Sequence, residues 1–170
     1  MKEPKHPRDT AASADQVWAE ITRFYKITGV EATALELQDQ RGANVLLLLY
    51  LCWLEAAGRR PRAGVALPEL LAAGRWRRVF LLKPVRALRR GLFTKPGGKT
   101  PVKTWLLGVE LFHERALLAG YIQLSRPLQA GGSQLLGGYL RQLGVSAPYE
   151  GDLNIRDYFE NIRVNLGAGE

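Results

Sequence analysis

Ten consecutive residues, Val45–Leu54 (VLLLLYLCWL), carry no charged or strongly polar side chain, and any fold of this chain has to bury them. Asn44 stands in front of the run, with Gly42 just before it and Gly58 shortly after. A membrane-spanning helix needs about 20 apolar residues, and Glu55 interrupts this run at half that length. Asn44 suits an N-cap, where a short polar side chain accepts from a free N–H of the first turn. The run therefore reads as a helix from Val45 to about Ala57. A helix apolar nearly all round is enclosed by neighbours on most sides. Each large side chain it buries contributes roughly 1.5–3 kcal/mol. The predicted fold class is all-α: a helical bundle around a buried apolar central helix, with a C-terminal helical extension.

A chain of 170 residues can bury a sizeable core without a disulfide or metal to staple it. Its single cysteine, Cys52, rules out an internal disulfide. A lone cysteine inside an apolar run is expected as a buried thiol in a reducing compartment. Residues 1–12 hold two prolines and several charges without an apolar core. They read as a disordered arm, not a signal peptide. A cytoplasmic location is expected, with a helical core over 13–120 and an extension over 121–170 that packs on or beside it.

Other helices follow from spacing. Ser13 and Gln16 form a capping-box pattern before Val17, Ile21 and Phe24, which predicts a helix from Ala14 to Thr28 with Gly29 as its stop. A second helix is expected over Glu31–Gln40. Leu67-Pro68-Glu69 opens a short helix that Gly74 is expected to end. A longer one over Arg75–Leu92 should kink at Pro84. Val102–Ala119 carries two apolar stripes, one through Leu106 and Leu117 and one through Leu107, Leu111 and Leu118, so two packing partners are expected. Further helices are expected over Ser133–Leu143 and Leu153–Leu166. Strand signals are weak throughout.

Charge is segregated. Between Arg59 and Lys103 there are 13 Lys/Arg and one acid, Glu69, a net of +12 within a chain of net +8. On a helical wheel Arg75, Arg78, Arg86, Arg89 and Arg90 share a face, with Arg59, Arg60 and Arg62 before them and Lys95, Lys99 and Lys103 after. A local field of this kind attracts phosphate backbones, anionic lipid or acidic protein surfaces.

Several residues together resemble a small, uncharacterised group of all-helical proteobacterial proteins classed as a domain of unknown function. They are Trp18 and Tyr25, Gly29-Val30-Glu31, Leu35 with Leu37-Gln38-Asp39, Gly42, Val45 with the leucine run, and Trp53-Leu54. Trp76, the piece Pro84-Val85-Arg86-Ala87-Leu88-Arg89-Arg90, Glu110-Leu111 and Glu114-Arg115 continue the pattern. The resemblance covers about residues 17–119 and implies a helical fold without an assigned activity or catalytic residues. It departs at Leu46, where the group usually has asparagine, and at Ala34, where it usually has cysteine.

Candidate chemistry is sparse. Gln38, Asp39 and Asn44 could line a polar pocket. The alternative, which the sequence favours, is structural: Asp39 satisfies free N–H groups at the start of the apolar helix while Gln38 ties down the connection. Glu110, His113 and Glu114 share one helix, with Glu110 and Glu114 on the same side. A metal or acid–base site would need partners from other helices, and no second motif supplies them. Gly97-Gly98-Lys99-Thr100 lacks the glycine spacing and preceding strand of a phosphate loop. No cofactor is expected. The leading expectation is a non-enzymatic adaptor that contacts an anionic macromolecule (RNA, a ribonucleoprotein or an acidic protein) through the arginine face. A self-associating helical module is the alternative, and a small-molecule or metal-dependent enzyme the third reading.

Overall fold

The computed structural model describes residues 12–77, 101–132 and 134–145, together with Pro84, Asp157 and Phe159. Six helices fall within them: α1 Ala14–Tyr25, α2 Val30–Arg41, α3 Val45–Ala56, α4 Leu67–Arg77, α5 Pro101–Ser125 and α6 Leu135–Gln142. Two short strands, β1 Arg59–Arg60 and β2 Gln129–Ala130, form an antiparallel ladder that pairs Arg59 with Ala130 and Arg60 with Gln129. The fold is all-α in character, and α3 is its axis. All eight residues from Leu47 to Leu54 are buried, and α3 packs against α1, α2, α5 and α6. Among the described residues no helix is long and apolar enough to cross a membrane.

Local chemistry sets the ends of α1–α3. Ser13 caps α1 reciprocally: Gln16 N donates to Ser13 Oγ at 3.1 Å and Ser13 N donates to Gln16 Oε1 at 2.8 Å. α1 ends at Tyr25 with Lys26 as its cap, three residues before the expected last residue, Thr28. Gly29, read as the stop of α1, is instead the left-handed residue (φ 91°) from which α2 starts. Gly42, at φ 69°, closes α2, and its N–H reaches the carbonyls of Leu37 and Gln38. Asn44 then caps α3, accepting from Leu47 N at 3.3 Å. Asp39 does not take this part: it is exposed near the end of α2, and the Leu47 N–H is served by the Asn44 side chain.

Two helix ends depart from the sequence reading. Gly74 does not end α4, which runs on to Arg77. It is a contact residue: a Cβ there would collide with Tyr121 Oη and come within 3.3 Å of Leu117 Cδ1. The missing side chain lets α4 and α5 approach closely. α5 continues past Ala119 to Ser125, because its last turns carry Tyr121 and Ile122 into the core.

The basic turn after α3 also hides β1, whose two residues are too short to show alternation. Arg62 N donates to Ser125 O at 2.9 Å and Gly131 N to Gly58 O at 2.9 Å, which ties this turn to the segment after α5. Residues beyond Gly120 are thus built into the core, where Tyr121, Leu136, Tyr139, Leu140, Val145 and Phe159 are all buried. The helix expected over Arg75–Leu92 lies outside the described residues apart from Arg75–Arg77 and Pro84. The one expected over Leu153–Leu166 lies outside them apart from Asp157 and Phe159, both helical.

Candidate functional site

A groove of about 330 Å³ lies between α1, α2, α3 and α5. α1 contributes Trp18, Ile21, Thr22 and Tyr25, residues three or four apart that share one helical face. α2 contributes Leu35 and Gln38, and the first turns of α3 contribute Val45, Leu46 and Leu49. The fourth wall is α5, through Glu110, Leu111 and Glu114. The floor is therefore aliphatic, two walls carry aromatic rings or carboxylates, and among the described residues no lysine or arginine lines it. Glu110 is only 7% exposed, so its carboxylate is largely out of water, while Glu114 is half-buried. Each already makes an interaction within the chain.

Neighbouring contacts hold the α1 wall in place. Thr22 Oγ1 donates to Trp18 O at 2.7 Å. The Arg115 guanidinium lies over the Trp18 ring, 5.4 Å from its centroid. Glu20, on another side of α1, accepts from Trp53 Nε1 at 2.6 Å and so fixes α1 to α3.

The candidate polar residues separate. Gln38 lines the groove; Asp39 is exposed and does not. Asn44 is 7% exposed and engaged in the core, where its N donates to Tyr139 Oη at 2.6 Å and its Nδ2 to Tyr121 Oη at 2.8 Å. Glu110 and Glu114 come together as their spacing implied, but His113 does not join them. Its ring stands edge-on to Phe112 with centroids 5.4 Å apart, and its buried Nδ1 has no hydrogen-bond partner among the described residues. Also among the described residues, no three His, Cys, Asp or Glu side chains gather as metal ligands would. Cys52 is fully buried, and burial, with the Glu55 charge adding to it, pushes its thiol well above the usual range.

Of the basic set, Arg60, Arg62 and Arg75 are exposed and Arg59 is half-buried. Arg78, Arg86, Arg89 and Arg90 lie outside the described residues. Sequence reasoning missed the α1 wall, although Trp18 and Tyr25, seven apart beside the Val17/Ile21 stripe, carried its signal. It also missed the exposed aromatic surface of α5, where Trp105 is 66% and Phe112 68% exposed.

Residues 16–120 match a family model described as a protein of unknown function (DUF2390). The chain belongs to this family. No curated protein and no solved structure matches it. The matched span holds every residue that lines the groove and ends one residue before Tyr121, so the family region carries the whole of the concavity but not the whole of the core.

Proposed function

We propose that the protein is a non-enzymatic helical adaptor that contacts an anionic macromolecule through its basic segment. The observation that supports this is the segregation of charge: 13 Lys/Arg against one acid between Arg59 and Lys103, in a chain whose other residues are net acidic. Arg60, Arg62 and Arg75 are exposed and open to phosphate or carboxylate. RNA, a ribonucleoprotein and an acidic protein surface all fit this chemistry, and a cytoplasmic, bacterial setting would offer each of them. Binding driven by backbone phosphates should weaken steeply with salt. The test is anisotropy with labelled single-stranded RNA, and pull-down from lysate, at low and moderate salt. An Arg60/Arg62/Arg75→Glu variant and an Arg86/Arg89/Arg90→Glu variant should both lose binding. Retention in both removes the basic segment from the account.

A second reading, self-association, is favoured by one feature of α5. Leu106, Leu117 and Leu118 of its expected stripes are buried, but other apolar side chains on the helix are exposed: Val102 is 53%, Trp105 66%, Leu111 49% and Phe112 68% exposed. Trp105 and Phe112 are seven residues apart and lie on one face. Light scattering should then show a dimer or larger species that a Trp105→Glu/Phe112→Glu variant returns to monomer. A monomer at all concentrations ends this reading.

A further inference from the structure

We propose that two copies of the chain pair through α5 as an antiparallel helix dimer, with Trp105 of each copy seated against a concavity of the other. This rests on the self-association reading and adds to it the direction, the register and the pocket. Leu106, Leu117, Leu118 and Tyr121 turn one side of α5 into the core. The opposite side carries Val102, Trp105, Val109, Phe112, Ala116 and Ala119, spaced by three and four residues in alternation. That is the spacing of a helix–helix seam. All six are at least half-exposed, Trp105 and Phe112 by two-thirds. A surface helix ordinarily turns polar residues outward; here the outward stripe is apolar at every position.

The stripe is complementary to itself in one direction. Its residues are bulky towards the N-terminus of α5 and small towards the C-terminus. In an antiparallel pair Val102 faces Ala119, Trp105 faces Ala116 and Val109 faces Phe112, and each layer occurs twice. In a parallel pair Trp105 would meet its own copy and Ala116 likewise, and no single interhelical distance suits both layers. Antiparallel helices also set opposite ends of their dipoles side by side. Beside Ala116 and Ala119 lies a concavity of about 310 Å³ between α1 and α5, lined also by Ala14, Asp15, Trp18 and Arg115. The antiparallel register brings Trp105 of the second copy opposite it. Arg115 stays on the Trp18 ring, since the incoming indole packs over the alanines.

Gly108 points the same way by a separate route. Glycine is a poor residue for a helix interior. Among the described residues nothing stands within 4 Å of a Cβ built at Gly108, so packing within one copy does not call for it, in contrast to Gly74. It precedes Val109 and borders the layer into which Phe112 of the second copy enters, where a missing side chain allows close approach. The area is sufficient. An aromatic side chain of about 150–250 Å² that is two-thirds exposed offers roughly 100–170 Å², and four of them cover a third to a half of the roughly 1,200 Å² of the smallest stable interfaces. The four other seam residues and the α1 edge of the concavity add to this.

The test is cysteine cross-linking of the full chain in a glutathione buffer, with light scattering on the same samples at about 0.1 mM, above the micromolar Kd of a small interface. The native Cys52 is buried and does not interfere. Val102→Cys and Ala119→Cys change two accessible seam positions and leave Trp105 and Phe112 in place. Mixed together, the two variants should form a disulfide-linked dimer; either variant alone should form none, because its two cysteines stand about 25 Å apart along an antiparallel pair, beyond the roughly 7 Å that a disulfide spans. Gly108→Leu should keep the fold and weaken the dimer at least about tenfold, as overpacking at a close contact does. A dimer in which each variant links to itself is parallel; it overturns this proposal and leaves self-association standing. So does a dimer that links in no combination or ignores Gly108→Leu. A monomer throughout overturns both, and if Trp105→Glu then also lowers the urea midpoint, the face is covered by the chain's own residues.

Discussion

Two polar spots lie along the same buried helix, and they are treated in opposite ways. At its N-terminus Asn44 is buried with its polar groups engaged: backbone N to Tyr139, Nδ2 to Tyr121, and Oδ1 from Leu47 N. Further along, Tyr50 Oη and Ser125 Oγ are also buried, and neither has a hydrogen-bond partner at proper geometry among the described residues. Burial pushes the Tyr50 hydroxyl up to about 12, with Ser125 and the Arg126 charge pulling the other way. Tyr121 links the two spots, since its hydroxyl accepts from Asn44 while its ring stacks on Tyr50 with centroids 6.0 Å apart. The first spot is specific because α3, α5 and α6 must be in register for three residues to pair. At the second, the hydroxyl adds nothing that the ring does not: Tyr50 also stacks on Trp53 at 6.0 Å. A satisfied buried polar group selects an arrangement, whereas an unsatisfied one is tolerated for the packing attached to it.

The sharpest way to break this contrast is Asn44→Ala. It removes the helix cap, about 1 kcal/mol, and strips the buried Tyr121 hydroxyl of its Asn44 partner, at about 1–3 kcal/mol, while the backbone bond to Tyr139 stays. Urea denaturation should show a loss of about 3 kcal/mol. Gly74→Ala comes next. Its Cβ would strike Tyr121 Oη, and overpacking of this kind costs about 1–3 kcal/mol. The same substitution in a Tyr121→Phe background should cost less, because the colliding atom is gone. A strictly additive double mutant would refute the contact. Tyr139→Phe, which removes one buried hydrogen bond, should cost about 1–1.5 kcal/mol in the same assay.

Tyr50→Phe is the smallest change and the most telling. At neutral pH it should stay within about 0.5 kcal/mol of wild type, because no made hydrogen bond is lost. Alkaline pH should separate the two. Tyr50 titrates at 10.0 when unfolded and about 12 when folded, so the native state holds its proton longer. Its contribution is fully present below the unfolded value and is lost as pH rises through the folded one. Wild type should therefore lose stability relative to Tyr50→Phe between about pH 10 and 12. Parallel curves for the two proteins would mean that Tyr50 is not desolvated.

The sequence made some of this legible and hid the rest for identifiable reasons. The apolar run and Asn44 announced α3 because burial on all sides and capping are both local signals. Ser13 and Gln16 likewise announced the start of α1. Gly74 was misread because its partners, Leu117 and Tyr121, are more than forty residues away, and a glycine that admits a neighbour looks the same as one that ends a helix. The β1–β2 ladder was invisible, since two residues cannot alternate. For the groove, the pairing of Glu110 with Glu114 followed from helical spacing. Their meeting with Trp18, Tyr25 and Gln38 depends on how three further helices pack, which no local pattern encodes.

Cys52 gives the chain its own reporter. It is the single cysteine, fully buried on α3 and held as the unreactive thiol. An alkylating reagent can reach it only when the central helix opens. Where reclosing outpaces modification, the labelling rate follows the population of the open form. Each 1.4 kcal/mol of destabilisation should then speed labelling about tenfold. Mass spectrometry would read one modification at one site, without an introduced probe, and the stability ranking of every variant above could be taken from the unperturbed protein in dilute buffer or in a cell extract.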